Sequence, residues 1–256
     1  SGERPLNKQP YCWLKRSLDL NSSVVRTYIK LMFLFHLVHK SLSHNSTSRF
    51  WLLGVILAIF LSALLWGNLP SQAAEPVKLM IFGDSLSASY GLRKPDSFTE
   101  KLTEALKQRG VNVQIVASSV SGDTTSGGKA RLAWALADKP DAILLELGAN
   151  DGLRGIEPAL SRANLEDILQ RLQQSGTRVL LAGMKAPPNL GKEYAQEFNR
   201  IYPELAARFK IPLYPFFLEG VVARVELNQA DGIHPNPRGV DEIVKRILPM
   251  VVKLVR

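Results

Sequence analysis

The chain has 256 residues, long enough for one domain with a sizeable core plus an extra segment, and its aromatic, charged, Gly and Pro contents are ordinary for a globular protein. Its net charge of +9 is uneven: residues 1–73, with eight Lys and Arg against two Asp and Glu, supply +6 of it, and no long basic run or basic-aromatic stripe points to nucleic acid as a partner. Cys12 is the single cysteine and one histidine follows residue 73, so an internal disulfide is excluded and neither a metal site nor another cofactor is expected.

Residues 1–48 carry no clear fold signal and stand as an unassigned extension, in which Met32 is a candidate start. Arg49 precedes an uncharged apolar run, Phe50–Trp66, and small residues follow at Ser71 and Ala73. A basic flank, an apolar stretch and a small-residue exit predict a secretory signal over residues 49–73, cleaved after Ala73, and therefore an exported protein. The apolar run of 17 residues lies at the short edge of what spans a bilayer, so the alternative is an uncleaved anchor at residues 50–66. Either way, membrane contact is expected only through this segment.

From residue 74 onward, strand-like and helix-like segments alternate. Val77–Phe82 is a short apolar run ending in Gly83 and predicts a buried strand. Ser97–Arg109 predicts a helix with Phe98, Leu102 and Leu106 on one face, a capping box from Ser97 and Glu100, and a stop at Gly110. Strand at Val111–Ala117, helix at Ala130–Ala137, strand at Asp141–Leu147, helix at Ala159–Gln174 and strand at Arg178–Met184 follow. A helix over Tyr194–Phe209 is expected to kink or split at Pro203, before a short strand at Ile211–Tyr214. Asn236 caps a last helix, with Pro237 at its first position, running to about Leu254. This alternation predicts an α/β fold, a mostly parallel five-stranded sheet with helices on both faces, whose chemistry lies outside the carboxyl ends of the strands.

Those ends carry the residues of interest. The first strand runs into Gly83-Asp84-Ser85-Leu86-Ser87, and the second into Ser118-Ser119-Val120-Ser121-Gly122-Asp123. The third runs into Gly148-Ala149-Asn150-Asp151-Gly152, and Asp231-Gly232-Ile233-His234-Pro235 precedes the last helix. His234 is the one imidazole after residue 73, and Asp231, three residues earlier in a Gly- and Pro-marked loop, is placed to turn back onto its ring. A serine hydroxyl is weakly nucleophilic until a base reaches it, and Ser85 on a tight turn is the candidate nucleophile. Read alone, Ser85 is better taken as a helix N-cap, and Asp84 equally as a cap or turn residue. Acyl transfer also needs donors for a developing oxyanion, and the backbone N–H groups of Ser85 and Gly122 and the side-chain amide of Asn150 are the candidates. The GxSxG elbow of an α/β-hydrolase and the GxGxxG of a dinucleotide-binding fold are both absent.

These four blocks, in this order, resemble those of the SGNH (GDSL) hydrolase family, and the likeness extends over nearly all of residues 77–252. Ser121–Leu132, Glu146–Gly155 and Tyr202–Phe217 are similar to its bacterial periplasmic acyl-thioesterase, lysophospholipase and arylesterase subgroup. The resemblance implies a three-layer α/β/α flavodoxin-like domain over residues 74–256. It implies a catalytic Ser85, Asp231 and His234, an oxyanion hole from Ser85, Gly122 and Asn150, and no metal. It implies a serine esterase or thioesterase, periplasmic or secreted, acting on small acyl esters, thioesters or lysophospholipids. Ala149 stands where the family often has Thr or Gly. Leu153, Ile156 and Pro187, the last in the Met184–Leu190 loop, are candidates to line an acyl groove, with simple packing as the alternative. A carbohydrate-ester deacetylase of the same family and a non-catalytic flavodoxin-like binding protein are the rival readings.

Overall fold

The computed structural model describes residues 75–256, together with the isolated Gly54. The expectations for residues 1–48 and for a signal or anchor at residues 49–73 lie outside the described residues. Among the described residues, no helix is long and apolar enough to cross a membrane.

Strands β1 (Val77–Gly83), β2 (Val113–Ala117), β3 (Ala142–Glu146), β4 (Arg178–Ala182) and β5 (Leu213–Tyr214) form one sheet in the order β2-β1-β3-β4-β5. Every pairing is parallel. β3 and the Leu79–Phe82 stretch of β1 are buried throughout, as strands covered on both faces must be, whereas the edge strand β2 is only partly covered.

The crossovers are α2 (Phe98–Gln108), α3 (Thr125–Leu136), α5 (Pro158–Gln174) and α6 (Lys192–Phe209), and α7 (Pro237–Val255) closes the chain. Short helices α1 (Ser85–Ala88) and α4 (Ala149–Leu153) follow β1 and β3. The step from β1 to β2 runs opposite to the steps from β2 through β5. Right-handed crossovers therefore put α2 on one face and α3, α5 and α6 on the other, and α7 returns to pack on α2. This is the three-layer α/β/α arrangement anticipated from the sequence. Each large apolar side chain buried between layers, such as Phe98, Leu102 and Leu106 of α2, contributes about 1.5–3 kcal/mol.

Four helices differ from expectation. α3 begins at Thr125 rather than Ala130, capped by the Thr124 side chain. Gly127 and Gly128 argue against a helix by propensity, but a Cβ on Gly128 would overlap Leu147, so the missing side chain lets α3 lie close on the sheet. α6 starts at Lys192 and passes through Pro203 unbroken. Pro203 and Asn199 both sit on the solvent face, so the carbonyl deprived of its donor is open to water. α1 and α4 have no counterpart in the sequence reading, because each is a single turn set by its position after a strand.

Candidate active site

The site grows from the end of β1. A Cβ on Gly83 would run into Ser87 Oγ and into the Glu146 carbonyl and carboxyl oxygens, so only glycine fits there. Asp84 then turns the chain, and its carboxylate accepts from the Leu86 N–H at 2.9 Å as the N-cap of α1. Ser85, the first residue of α1, is thus not the cap but the residue the cap presents.

The opposite wall is a tight loop. Asn228 and Pro235 form an antiparallel bridge, Gln229 N–H donates to the His234 carbonyl at 2.8 Å, and Gly232 turns the loop at a φ of +70°. Within it, Asp231 Oδ1 accepts from the Ile233 and His234 N–H groups at 2.9 and 3.0 Å, and Oδ2 lies 2.7 Å from His234 Nδ1. These donors, the His234 N–H first, hold the Asp231 carboxyl down at about 2. His234 Nε2 stands 2.9 Å from Ser85 Oγ. The structure therefore brings Ser85, His234 and Asp231 into one hydrogen-bonded line. The Tyr90 ring, which the sequence reading missed, lies 4.8 Å from the His234 ring, and Gln229 Nε2 donates to the Tyr90 carbonyl, tying the loop to the nucleophile turn.

The candidate donors converge on the same edge. The backbone N–H groups of Ser85 and Gly122 have no acceptor among the described residues. Gly122 has a φ of +84°, a conformation that L side chains rarely adopt, and Arg154 Nη2 donates to its carbonyl at 2.9 Å. Asn150 is brought here as well, but both of its amide hydrogens are engaged: Nδ2 donates to the Asp123 carbonyl at 2.9 Å and to Asp84 Oδ2 at 3.3 Å. The longer of the two is the one an oxyanion can displace. Asp151 is buried and accepts from Thr125 N–H, Thr125 Oγ1 and Ser161 Oγ, which anchors α4 to α3 and α5.

Arg131 binds these parts together. Its guanidinium lies 3.8 Å over the Phe82 ring, pairs with Asp123 at 2.5 Å, and donates to the Ser118 and Gly83 carbonyls. Only its place inside the Ser121–Leu132 motif hinted at this in the sequence.

A cavity of about 410 Å³ opens beside Ser85 and Asn150, walled by Leu153, Met184, Pro187, Phe216 and Ile233. Leu153 and Pro187 thus sit where an acyl groove was expected. Ile156 is not among its lining residues, and its carbonyl instead receives the Tyr194 hydroxyl. Lys185, within the Met184–Leu190 loop expected at the groove though not singled out there, is the one charged residue among the described residues lining the cavity, its Nζ 4.9 Å from the Phe216 ring. A separate apolar cleft of about 570 Å³ between α5, α6 and α7 is lined by none of the candidate residues.

Comparison with known proteins gives the family and the fold. The family model described as GDSL-like Lipase/Acylhydrolase family matches residues 81–241. An arylesterase of Vibrio mimicus is 41% identical over 203 residues, which is 79% of this chain and 98% of the relative. Thioesterase 1/protease 1/lysophospholipase L1 of Escherichia coli strain K12 is 38% identical over 185 residues, 70% of this chain and 88% of the relative. The crystal structure of AlinE4, a SGNH-hydrolase family esterase, is 46% identical with a TM-score of 0.61, over 72% of this chain and 100% of that one.

Proposed function

Because the chain belongs to the GDSL-like lipase/acylhydrolase family, we propose that it is a serine hydrolase of carboxylic esters and thioesters, with Ser85 as nucleophile, His234 as base and Asp231 as orienting carboxylate. The observation that carries this reading is the line from Ser85 Oγ through the His234 ring to Asp231, at 2.9 and 2.7 Å. The names of the relatives, arylesterase and thioesterase 1/lysophospholipase L1, support the substrate class.

In this reading His234 Nε2 takes the Ser85 proton as Oγ attacks the acyl carbonyl. Asp231 fixes the Nδ1–H tautomer and stabilises the imidazolium that forms. The oxyanion is met by the N–H groups of Ser85 and Gly122, and by Asn150 once its long contact to Asp84 is given up. His234 then protonates the departing alcohol or thiol, and water attacks the acyl-enzyme through the same base. The acyl chain occupies the cavity beside Leu153 and Pro187.

We further propose that residues 49–73 act as a leader or anchor and that residues 74–256 work outside the cytoplasm, in the periplasm or beyond. N-terminal sequencing of exported protein distinguishes cleavage after Ala73 from retention. The function is tested by turnover of short- and long-chain p-nitrophenyl esters, acyl thioesters and lysophospholipid beside a Ser85→Ala variant. Turnover lost in the variant supports the reading, and equal turnover in both overturns it.

A further inference from the structure

Below the nucleophile turn lies a carboxyl group that acyl transfer does not use. Glu146, the last residue of β3, is fully buried, and its Oε1 has no partner among the described residues. Its Oε2 lies 3.2 Å from the Asp84 N–H and 2.7 Å from Ser87 Oγ. Ser87 Oγ is in turn 2.9 Å from Ser119 Oγ, and Ser119 Oγ is 3.2 Å from the Ile81 carbonyl oxygen.

The buried, unpartnered Oε1 and the proton count along this row together favour a proton on Glu146. The Ile81 carbonyl, which already accepts the Ser118 N–H at 2.8 Å, can take the Ser119 proton on its second lone pair. The Ser119–Ser87 contact then uses the Ser87 proton. With both serine protons so used, the proton of the 2.7 Å Ser87–Glu146 contact comes from Glu146; were Ser87 the donor there, the long Ser119–Ile81 contact at 3.2 Å would be the one given up. An ionised Glu146 would leave one of the three contacts unmade and an anionic oxygen stranded at Oε1, away from water. The neighbouring Asp84 is the better home for the negative charge, because the Leu86 N–H and the Asn150 amide both point at its carboxylate.

We propose that Glu146 is a neutral carboxylic acid at physiological pH and a positioning residue, whose proton heads the Ser87–Ser119–Ile81 row. It holds the Asp84 backbone, so Asp84 remains the single anion under the turn, free to cap α1 and to restrain Asn150. The charged or titratable groups around the pair are Arg131 from α3, Tyr202 from α6, Asp151 from α4 and His234 from the loop ahead of α7. Burial, and then the Asp84 charge, push the Glu146 carboxyl well above its ordinary value of 4.5. Burial pushes Asp84 up to about 6, against the Leu86 N–H, the Asn150 amide and the His234 charge, which pull it down.

The protonation of Glu146 stands without the catalytic reading, whereas its positioning role rests on it, and the experiment separates the two. A group with a raised folded pKa stabilises the fold less as pH rises above its unfolded value. In the full chain, the unfolding constant of wild type relative to Glu146→Gln is therefore expected to rise by up to about tenfold per pH unit as pH climbs above about 5. A protonated-carboxyl carbonyl stretch should be present in wild type at neutral pH and lost in the variant. A flat ratio with no such band overturns the protonation. If Glu146→Gln does not fold, the wild-type ¹³C carboxyl spectrum reads the same point, one glutamate keeping its protonated shift at neutral pH or none. For the positioning role, Glu146→Gln keeps a donor to Ser87 but no acceptor for the Asp84 N–H at the same place, and is expected to lower kcat for a p-nitrophenyl ester by less than Glu146→Leu does. Glu146→Leu, which lacks the donor, is expected to lower kcat about tenfold or more at similar KM. Equal kcat in both variants and wild type overturns that role alone.

Discussion

Ser85 Oγ and His234 Nε2 are 2.9 Å apart, although 149 positions separate the two residues in the chain. The contact is made by two devices at one edge of the sheet. The Asp84 cap lifts Ser85 out of the end of β1, and the Asn228–Pro235 bridge closes the loop that turns His234 toward it. Tyr90, packed on the imidazole, fixes the ring from the side.

Replacing Asp231 by Asn should separate orientation from folding. The amide oxygen can still accept from the Ile233 and His234 N–H groups, but Nδ1 loses its carboxylate. A fall in kcat of about 10² to 10⁴ is expected, with little change in KM or melting temperature. Asp231 is held at about 2, below its ordinary 3.8, so its stabilising effect is present above the ordinary value and lost only as pH falls toward about 2. Stopped assays from acid to neutral pH should place the Asp231 titration at the acid end, below its ordinary 3.8.

Asn150→Ala removes one oxyanion donor and leaves the N–H groups of Ser85 and Gly122. A loss in kcat of about 10² to 10³ with KM nearly constant is expected from steady-state kinetics. A loss confined to KM would place Asn150 in ground-state binding instead.

Gly239 is where α7 meets the catalytic loop. A Cβ there would overlap the Leu227 carbonyl oxygen and press on Pro235. Gly239→Ala is expected to destabilise the fold by about 1–3 kcal/mol in urea melts and to lower kcat by shifting the loop that carries His234. A fully stable, fully active variant would mean the loop yields without effect.

Lys185 is exposed, pairs with no carboxylate among the described residues, and faces the cavity beside Phe216. Lys185→Gln should lower kcat/KM about threefold to fivefold for phosphate-bearing substrates such as a lysophospholipid or an acyl-CoA, as an exposed charge does. Neutral p-nitrophenyl esters should be unaffected, and added salt should erase the difference.

Local signals carried much of this architecture into the sequence. The apolar runs that became β1, β3 and β4 and the Asn236-Pro237 start of α7 follow from burial and capping alone. Gly128 shows the limit: its low helix propensity is overruled by close packing on Leu147, a tertiary fact. At the site, the four loops could be singled out by residue type. The proton row under Ser85, the Tyr90 stack and the engagement of Asn150 by Asp84 join residues distant in the chain, and no local pattern signals them; the Arg131 brace is hinted at only by its place in the Ser121–Leu132 motif.

The most direct test is covalent. Incubating the protein with a fluorophosphonate and mapping the adduct by peptide mass spectrometry should place one label on Ser85, at a rate that falls with His234→Ala. A label on another serine, with Ser85 untouched while hydrolysis is abolished, would contradict the account.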